Sequence, residues 1–386
     1  LLAGLYEFPN LPGFLREEEA LEQVRGFGLT PLHIRKLEKA KHIFSHVEWH
    51  MSGYGVRVAS LDSSCGGDLM MKKILLIATG GTIACRPSEN GALAPALSVK
   101  EILECVPELS GVADIDKFQL FDLDSTNIGP SEWTALASVI RDNYDGYDGF
   151  VILHGTDTMA YTAAALCYLI QHNKKPIVLT GSQKSIYNRD TDARNNLLSA
   201  FLYVVSEYAF GIHIVFDGKV ILGTRARKVR SKSFNAFSSI DYPETAVFRD
   251  GKLISFLPAP KDDSPARFYD RLDPAVFVLR LVPGMDAGIF SALMPKYHAI
   301  VIEGFGVGGL PGGPDGQLLS AVQSWLSSGR LAVFSTQVQH EGSDLSIYEV
   351  GRIARDLPGV LEARDMTPEA VVTKLMWALG QSSDPK

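Results

Sequence analysis

Cysteine is scarce in this chain. Four thiols, Cys65, Cys85, Cys105 and Cys167, are spread over 386 residues with no C-x-x-C and no paired spacing. That spacing argues against a disulfide framework and against a structural zinc site, and it suits a reducing compartment. Long apolar runs are missing too: no stretch reaches the ~18 residues of a membrane span, and no basic-then-apolar leader opens the chain. A cytoplasmic protein without a membrane partner is the expectation. There is no excess of positive charge. The 37 lysines and arginines face 44 aspartates and glutamates, a net charge of −7 that speaks against a globally basic nucleic-acid binder and leaves room only for a local patch. What remains is ordinary globular material, 46% hydrophobic and 21% charged. It is enough for a large core without staples, and the length suggests roughly two to three domains.

Residues 1–58 and 72–386 read as different material. The first part has a helical stretch from about Glu17 to Gly26, then an alternating, aromatic-rich segment from Lys41 to Val58 that predicts one or two strands. Residues 59–71, rich in Ser, Gly and Asp without periodicity, read as a linker. From Lys73 the rhythm is β then α. Three apolar runs, Ile74–Thr79, Phe150–Leu153 and Pro176–Leu179, end in Gly80-Gly81, His154-Gly155-Thr156-Asp157 and Thr180-Gly181-Ser182. Helix-period segments such as Ser131–Tyr144 and Thr158–Gln171 lie between them. Fully apolar strands alternating with helices signal a mostly parallel sheet covered on both faces. The expected organisation is a larger domain over 72–255, a connection over 256–275 and a smaller α/β domain over 276–386. The smaller domain contains strands at Ala299–Glu303 and Leu331–Ser335 and a helix over Gly316–Ser328.

Ligands in open α/β sheets sit beyond the carboxyl ends of the strands, so the three polar clusters should meet in one crevice. Each has a plainer reading. Gly80-Gly81 could simply turn the chain, and as a phosphate cradle it lacks both a third glycine and a following G-K-[ST]. Thr156-Asp157 could be a helix N-cap. The basic run 225–232 could be a solvated face or an anion patch.

Taken together, the motifs resemble the bacterial-type L-asparaginase family, in its cytoplasmic type I branch. The matching pieces are Ile77–Ala84 (IATGGTIA), Asp124-Ser125-Thr126, Tyr147–Leu166 (YDGFVILHGTDTMAYTAAAL), Thr180–Gln183 (TGSQ) and Gly223–Lys228 (GTRARK). They cover essentially all of residues 72–386. The resemblance implies a two-domain α/β fold that needs no metal or organic cofactor and hydrolyses L-asparagine to L-aspartate and ammonia. It places the nucleophile on Thr82 and a proton-handling set on Thr156, Asp157 and Lys228. Such chemistry needs a nucleophile better than water, and an activated hydroxyl splits one hard step into two through an acyl-enzyme. A lysine serves as base when burial or neighbouring cations lower its pKa. Arg225, Arg227, Arg230 and Lys232 would contribute if their side chains turned inward. By resemblance, Ser125 and nearby backbone grip the α-carboxylate, with Asp124 and Thr126 beside them. Asp157 takes the α-ammonium, the Ser182 carbonyl lies near the leaving amide, and amides of the Gly81 and Gly155 loops meet the developing oxyanion. A homodimer or dimer-based tetramer is implied as well.

Three departures stand out. The family's loop tyrosine is missing from Glu89–Leu93 (ENGAL), so Thr82 needs another activating group. The aspartate after the substrate-binding serine pair is Asn127. The positions of the branch's allosteric threonine and cysteine are Arg227 and Val338, so allostery is not carried over. Glutamine remains an alternative substrate, since one methylene is worth only ~1–3 kcal/mol. A tRNA-dependent amidotransferase subunit is another alternative, although the leading segment does not look like the small barrel such subunits carry.

Residues 1–58 resemble the carboxyl-terminal domain of the adenine DNA glycosylase that acts opposite oxidised guanine, a Nudix-like α+β fragment. The resemblance rests on Leu2–Asn10 (LAGLYEFPN) and Lys41–Met51 (KHIFSHVEWHM). By that resemblance Phe44, Ser45 and His46 would meet the damaged base. The glycosylase's catalytic helical domain and iron–sulfur cysteines do not occur in this sequence, so base excision is not expected. The segment reads as a fusion remnant, with a DNA-reading module as the alternative.

Overall fold

The computed structural model describes residues 16–26, 31–36, 40–44, 47–51, 54–58, 71–87, 93–95, 99–260, 262–311 and 316–382. It divides into two compact units, Leu1–Met71 and Lys72–Lys386.

In the first unit the helix Glu17–Gly26 opens on three glutamates, which suit the positive end of its dipole, and closes on Arg25. It lies against the strand Pro31–Lys36, which pairs antiparallel with Tyr54–Val58. A second antiparallel pair joins Ala40–Phe44 to Val47–Met51. The segment read as one or two strands is therefore three, because side-chain alternation continues through a reversal and does not reveal where a strand doubles back.

The second unit is built on an eight-stranded sheet. Its order is Lys252–Ser255, Ala246–Arg249, Lys219–Leu222, Ile212–Phe216, Ile177–Thr180, Gly149–Leu153, Lys73–Gly80, Asp114–Leu123. The last five run parallel, and the first three are added antiparallel at one edge. Strand residues alternate between two cores. Leu75, Ile77, Phe150, Ile152, Ile177 and Leu179 face the helices Pro130–Asp142 and Met159–Leu169. Ile74, Leu76, Val151, Leu153 and Val178 face the helix Ala193–Val204. Burial on both faces explains why these strands are unbroken apolar runs. The chain leaves the strand Lys73–Gly80 for the edge strand Asp114–Leu123 and returns to pair Gly149–Leu153 on its other side. The switch point, where such sheets bind ligands, thus lies between Gly80 and Leu153.

A four-stranded parallel sheet, in the order Val276–Arg280, Ala299–Gly304, Leu331–Thr336, Val360–Glu362, forms the smaller α/β layer. The final helix, Pro368–Gln381, packs back on Met159–Leu169, with Trp377 stacked near Tyr168. The two-domain α/β architecture expected from the sequence is the one observed. Two details differ. The helix expected over Thr158–Gln171 ends at Leu169, and Ile170-Gln171 pairs with Arg267-Phe268 inside the 256–275 segment. The apolar pattern of a buried helix end and of a short strand is the same, so spacing alone does not separate them. The segment 256–275 is also tied down by a His172–Asp262 pair and by the bond from Asp273 N to Met376 O. Among the described residues no helix is long and apolar enough to cross a membrane.

Candidate active site

Three adjacent parallel strands end in register, with Ala78 beside Leu153 and Leu153 beside Thr180, so their polar tails emerge side by side. The first tail turns on Gly80 (φ 104°) and Gly81 (φ 88°), both in the left-handed region that favours glycine. Their lack of side chains matters as much as their dihedrals. A Cβ on Gly80 would sit 2.4 Å from the Leu123 carbonyl oxygen, and one on Gly81 would sit 2.4 Å from the Gly155 nitrogen. The double glycine is a turn, as its plainest reading held, and it also lets the first two strand ends touch. Gly81→Ala should therefore cost about 2–5 kcal/mol, from backbone strain plus collision with a neighbouring peptide. Gly111→Ala, where a Cβ meets nothing within 4 Å, should be nearly neutral. Urea midpoints of the two variants check this.

Thr82 follows at once, half-buried, as the first residue of the short 3₁₀ turn Thr82–Ala84. Ile83 and Ala84 anchor that turn in the core, and the Ile83 carbonyl accepts from Ile186 N at 3.3 Å. Among the described residues no hydrogen bond joins the Thr82 hydroxyl to the cluster below. Of the loop Glu89–Leu93, only Leu93 belongs to the described residues.

The second tail carries Gly155, Thr156 and Asp157. The helix behind it starts at Met159 with Thr158 at the cap position, so Thr156-Asp157 is not its N-cap. Both side chains are engaged elsewhere. Lys228 Nζ donates to Thr156 Oγ1 at 2.8 Å and to Asp157 Oδ1 at 2.6 Å. Lys228 lies on the strand Ala226–Lys228, paired with Phe237–Ser239, and is about 70 residues away along the chain. Its side chain is only 15% exposed, whereas that of Asp157 is 58% exposed and opens outward. The other cations of the run do not turn inward, and Lys232 is exposed. Arg225 pairs with Asp365 at 2.9 Å, Arg227 reaches Glu369 at 3.9 Å, and Arg230 donates to the Asn235 carbonyl. Each is drawn to a nearby acceptor, so a ring of arginines around Lys228 is not formed by these three. Arg227 and Val338 line one small cavity with Arg364 and Thr367.

Ser125 joins these parts. Buried, it accepts from Asp157 N at 3.3 Å, its carbonyl accepts from Thr158 Oγ1, and its hydroxyl occupies the space a Cβ on Gly155 would need. Asp124 and Thr126 satisfy each other instead. Asp124 Oδ1 accepts from Thr126 N at 2.9 Å and from its hydroxyl at 2.8 Å, which holds the Asp124 carboxyl below its ordinary pKa. Ser182, on the third tail, is buried, and its hydroxyl donates to the Lys184 carbonyl. Of the residues that would meet DNA, Phe44 ends a described strand, and Ser45 and His46 lie outside the described residues.

Sequence reasoning assigned no role to several members. Gln183 accepts from the Thr156 hydroxyl at 3.1 Å. Asp192 accepts from the backbone nitrogens of Gln183 and Lys184, which fixes the third tail. His154 is fully buried. Its Nδ1 lies 2.7 Å from the Gly155 carbonyl, which only accepts, so Nδ1 carries the proton. Nε2 then accepts from Thr162 Oγ1 at 2.9 Å, and Thr162 in turn accepts from Trp133 Nε1. Burial pushes the His154 pKa down to about 4, so this chain of bonds runs through a neutral imidazole. A histidine closing an apolar strand was the available signal. Nothing in local spacing pointed to Asp192.

Known proteins resemble this chain in sequence and in fold. Residues 73–260 match the family description "Asparaginase, N-terminal", and residues 275–386 match "Glutaminase/Asparaginase C-terminal domain". An L-asparaginase of Thermococcus kodakarensis is 41% identical over 318 residues, covering 81% of this chain and 94% of its own length. The solved structure of the thermostable L-asparaginase from that organism superposes with a TM-score of 0.75 at 39% identity, over 81% of this chain and 94% of that one. A glutamyl-tRNA(Gln) amidotransferase subunit of Pyrococcus horikoshii is 31% identical over 94% of this chain and 82% of its own. That is more than residues 72–386 alone amount to, so the match reaches into the amino-terminal unit.

Proposed function

The chain belongs to the asparaginase family and carries both of its domains, and from that premise we propose that it is an amidohydrolase turning L-asparagine and water into L-aspartate and ammonia. The observation that carries the reading is the simultaneous bonding of Lys228 to Thr156 and Asp157, beside a glycine contact that brings the Thr82 turn against the same strand end. In this proposal the Thr82 hydroxyl attacks the side-chain amide carbon. The tetrahedral oxyanion is met by backbone N–H groups at the Gly81 and Gly155 turns, and each such donor is typically worth ~3–4 kcal/mol. The proton of the Thr82 hydroxyl passes by way of Thr156 and Lys228 to the amide nitrogen, the C–N bond breaks, and ammonia leaves. Water then cleaves the resulting ester, and the same groups carry its proton back. Ser125 and adjacent backbone receive the α-carboxylate. Lys228 takes one oxygen of Asp157, and the other is offered to the α-ammonium.

A second reading, a subunit of a tRNA-dependent amidotransferase, is favoured by one observation: the match to the Pyrococcus horikoshii amidotransferase subunit extends in front of the family domains. Residues 1–58 are, on the proposal preferred here, a glycosylase-like remnant fused ahead of the hydrolase. One experiment separates the two readings: ammonia release by the purified full chain, with L-asparagine and L-glutamine side by side. The hydrolase reading expects rapid turnover with asparagine and no added component. A subunit whose ammonia is destined for glutamyl-tRNA should release little until its partner and charged tRNA are supplied. Silence with both amides and no partner would overturn the hydrolase reading.

A further inference from the structure

The hydrogen-bond directions around Thr156 follow from its neighbours. Gln183 touches two groups: its amide nitrogen lies 3.1 Å from the Ser233 carbonyl, and its amide oxygen lies 3.1 Å from Thr156 Oγ1. A backbone carbonyl only accepts, so the NH₂ end of Gln183 must face Ser233 and the oxygen end must face Thr156. An amide oxygen also only accepts, so the single Thr156 proton is committed to Gln183. Thr156 Oγ1 then has only lone pairs left for Lys228, and Lys228 must donate across the 2.8 Å contact. The 2.6 Å bond to Asp157 agrees, since it too needs a proton on Lys228. The amide cannot swing away easily. The backbone nitrogens of Gln183 and Lys184 are held by the carboxylate of Asp192, itself buried and bonded to Asn196.

We infer that Gln183 is a positioning residue for the Lys228–Thr156 pair: it takes the Thr156 proton and so sets the bond between them with Lys228 as the donor. The consequence is a resting arrangement in which Lys228 donates to both Thr156 and Asp157, and Thr156 is not aimed at it as an acid. For Thr156 to pass its proton to Lys228, two things must happen. Lys228 must present a nitrogen lone pair, and the Thr156–Gln183 bond must open. Gln183 thereby joins the proton-handling cluster to the segment 229–236 through Ser233, so movement of that segment would alter the cluster's hydrogen-bond direction.

Few charges complicate this. Besides Asp157 on the bond itself, the neighbours are Asp192 beneath the Gln183 backbone and Lys184, which is paired with Asp190. Arg227 and Arg230 are engaged with Glu369 and the Asn235 carbonyl. Tyr161 lies on the helix packed against the Lys228 strand, and burial raises its pKa, so it stays neutral at ordinary pH.

The test uses two variants of the full chain. Gln183→Glu keeps an acceptor for Thr156 and places a negative charge within two hydrogen bonds of Lys228. Gln183→Met keeps the bulk and removes the acceptor, which lets Thr156 donate to a neutral Lys228. The Lys228 titration is followed by NMR of protein labelled at the lysine Cε, with Lys228→Met used for assignment. The expected result is an upward shift of about 1–3 pH units in Gln183→Glu and a downward shift in Gln183→Met. The acid limb of kcat/KM for asparagine should move in the same directions. A residue that merely packs would change stability or kcat and leave the Lys228 titration in place. Titration of Lys228 in both variants at the wild-type pH would overturn the inference. The NMR readout needs no turnover, so a protein inert toward asparagine would sink the proposed function and leave this inference to be judged separately.

Discussion

Thr82→Ala should reduce ammonia release from L-asparagine by roughly 10⁴-fold or more, because removing a nucleophile removes the acyl-enzyme route altogether. The substitution is structurally mild. Thr82 is half-buried at the start of a short turn whose anchoring residues are Ile83 and Ala84, and alanine tolerates the same backbone. Its melting temperature should therefore stay close to that of the parent chain, so lost rate cannot be blamed on unfolding. Lys228→Met keeps most of the aliphatic stem and deletes the donor shared by Thr156 and Asp157. A proton-transfer group of this kind usually contributes about 10²–10⁴-fold, so its loss should be smaller than that of Thr82 and should fall mainly on kcat. Steady-state kinetics on both variants decide the matter. Parent-like turnover in the pair of them would refute a threonine-and-lysine mechanism.

The second large effect is on stability in mild acid. His154 and His213 are completely buried, and burial lowers their pKa values to about 4 and about 3. An unfolded histidine titrates near 6.5. Between these values the unfolded chain binds protons that the folded chain refuses, so stability is complete above about pH 6.5 and falls as pH drops. The slope approaches 1.4 kcal/mol per pH unit for each group, which amounts to several kcal/mol for the two together by pH 4.5. Carboxylates held below their ordinary pKa, such as Asp116 and Asp124, begin to contribute only near pH 4, whereas Glu369 and Asp217, whose pKa burial raises, take up protons in the folded state and oppose the histidine slope. His213 packs edge-on against Tyr203 and Phe210, so His213→Phe should keep the packing and flatten the slope by about half. Urea midpoints at pH 7 and pH 5 for parent and variant provide the measurement. Equal stability of the parent at both values would refute the assignment.

The strands of the central sheet were readable because burial on both faces writes itself into unbroken apolar runs such as Ile74–Thr79 and Phe150–Leu153. Their carboxyl ends were readable because glycine, threonine and aspartate follow each run abruptly. Segments where one pattern serves two structures were less legible. Ile170-Gln171 continues a helical rhythm and pairs as a strand, and Lys41–Val58 hides its reversals. Hydrogen-bond partners were the least legible of all. The arginines beside Lys228 would act on it only by turning inward, and Arg225 and Arg227 instead pair with Asp365 and Glu369, both supplied by the far end of the chain.

Periodicity and the abrupt polar tails were enough, by themselves, to indicate a mostly parallel sheet covered on both faces and to nominate Thr82, Thr156 and Asp157 as neighbours in one crevice beyond the carboxyl ends of its strands. Both follow from local rules, in which apolar area seeks cover and glycine permits turns. The identity of the partners was decided only in three dimensions. Lys228 reaches Thr156 from about 70 residues away, Gln183 settles which of the two holds the proton between them, and His154 stays neutral beneath Gly155. Those outcomes depend on distance and on which lone pair is already taken, quantities that exist only once remote segments have been brought within about 3 Å of each other.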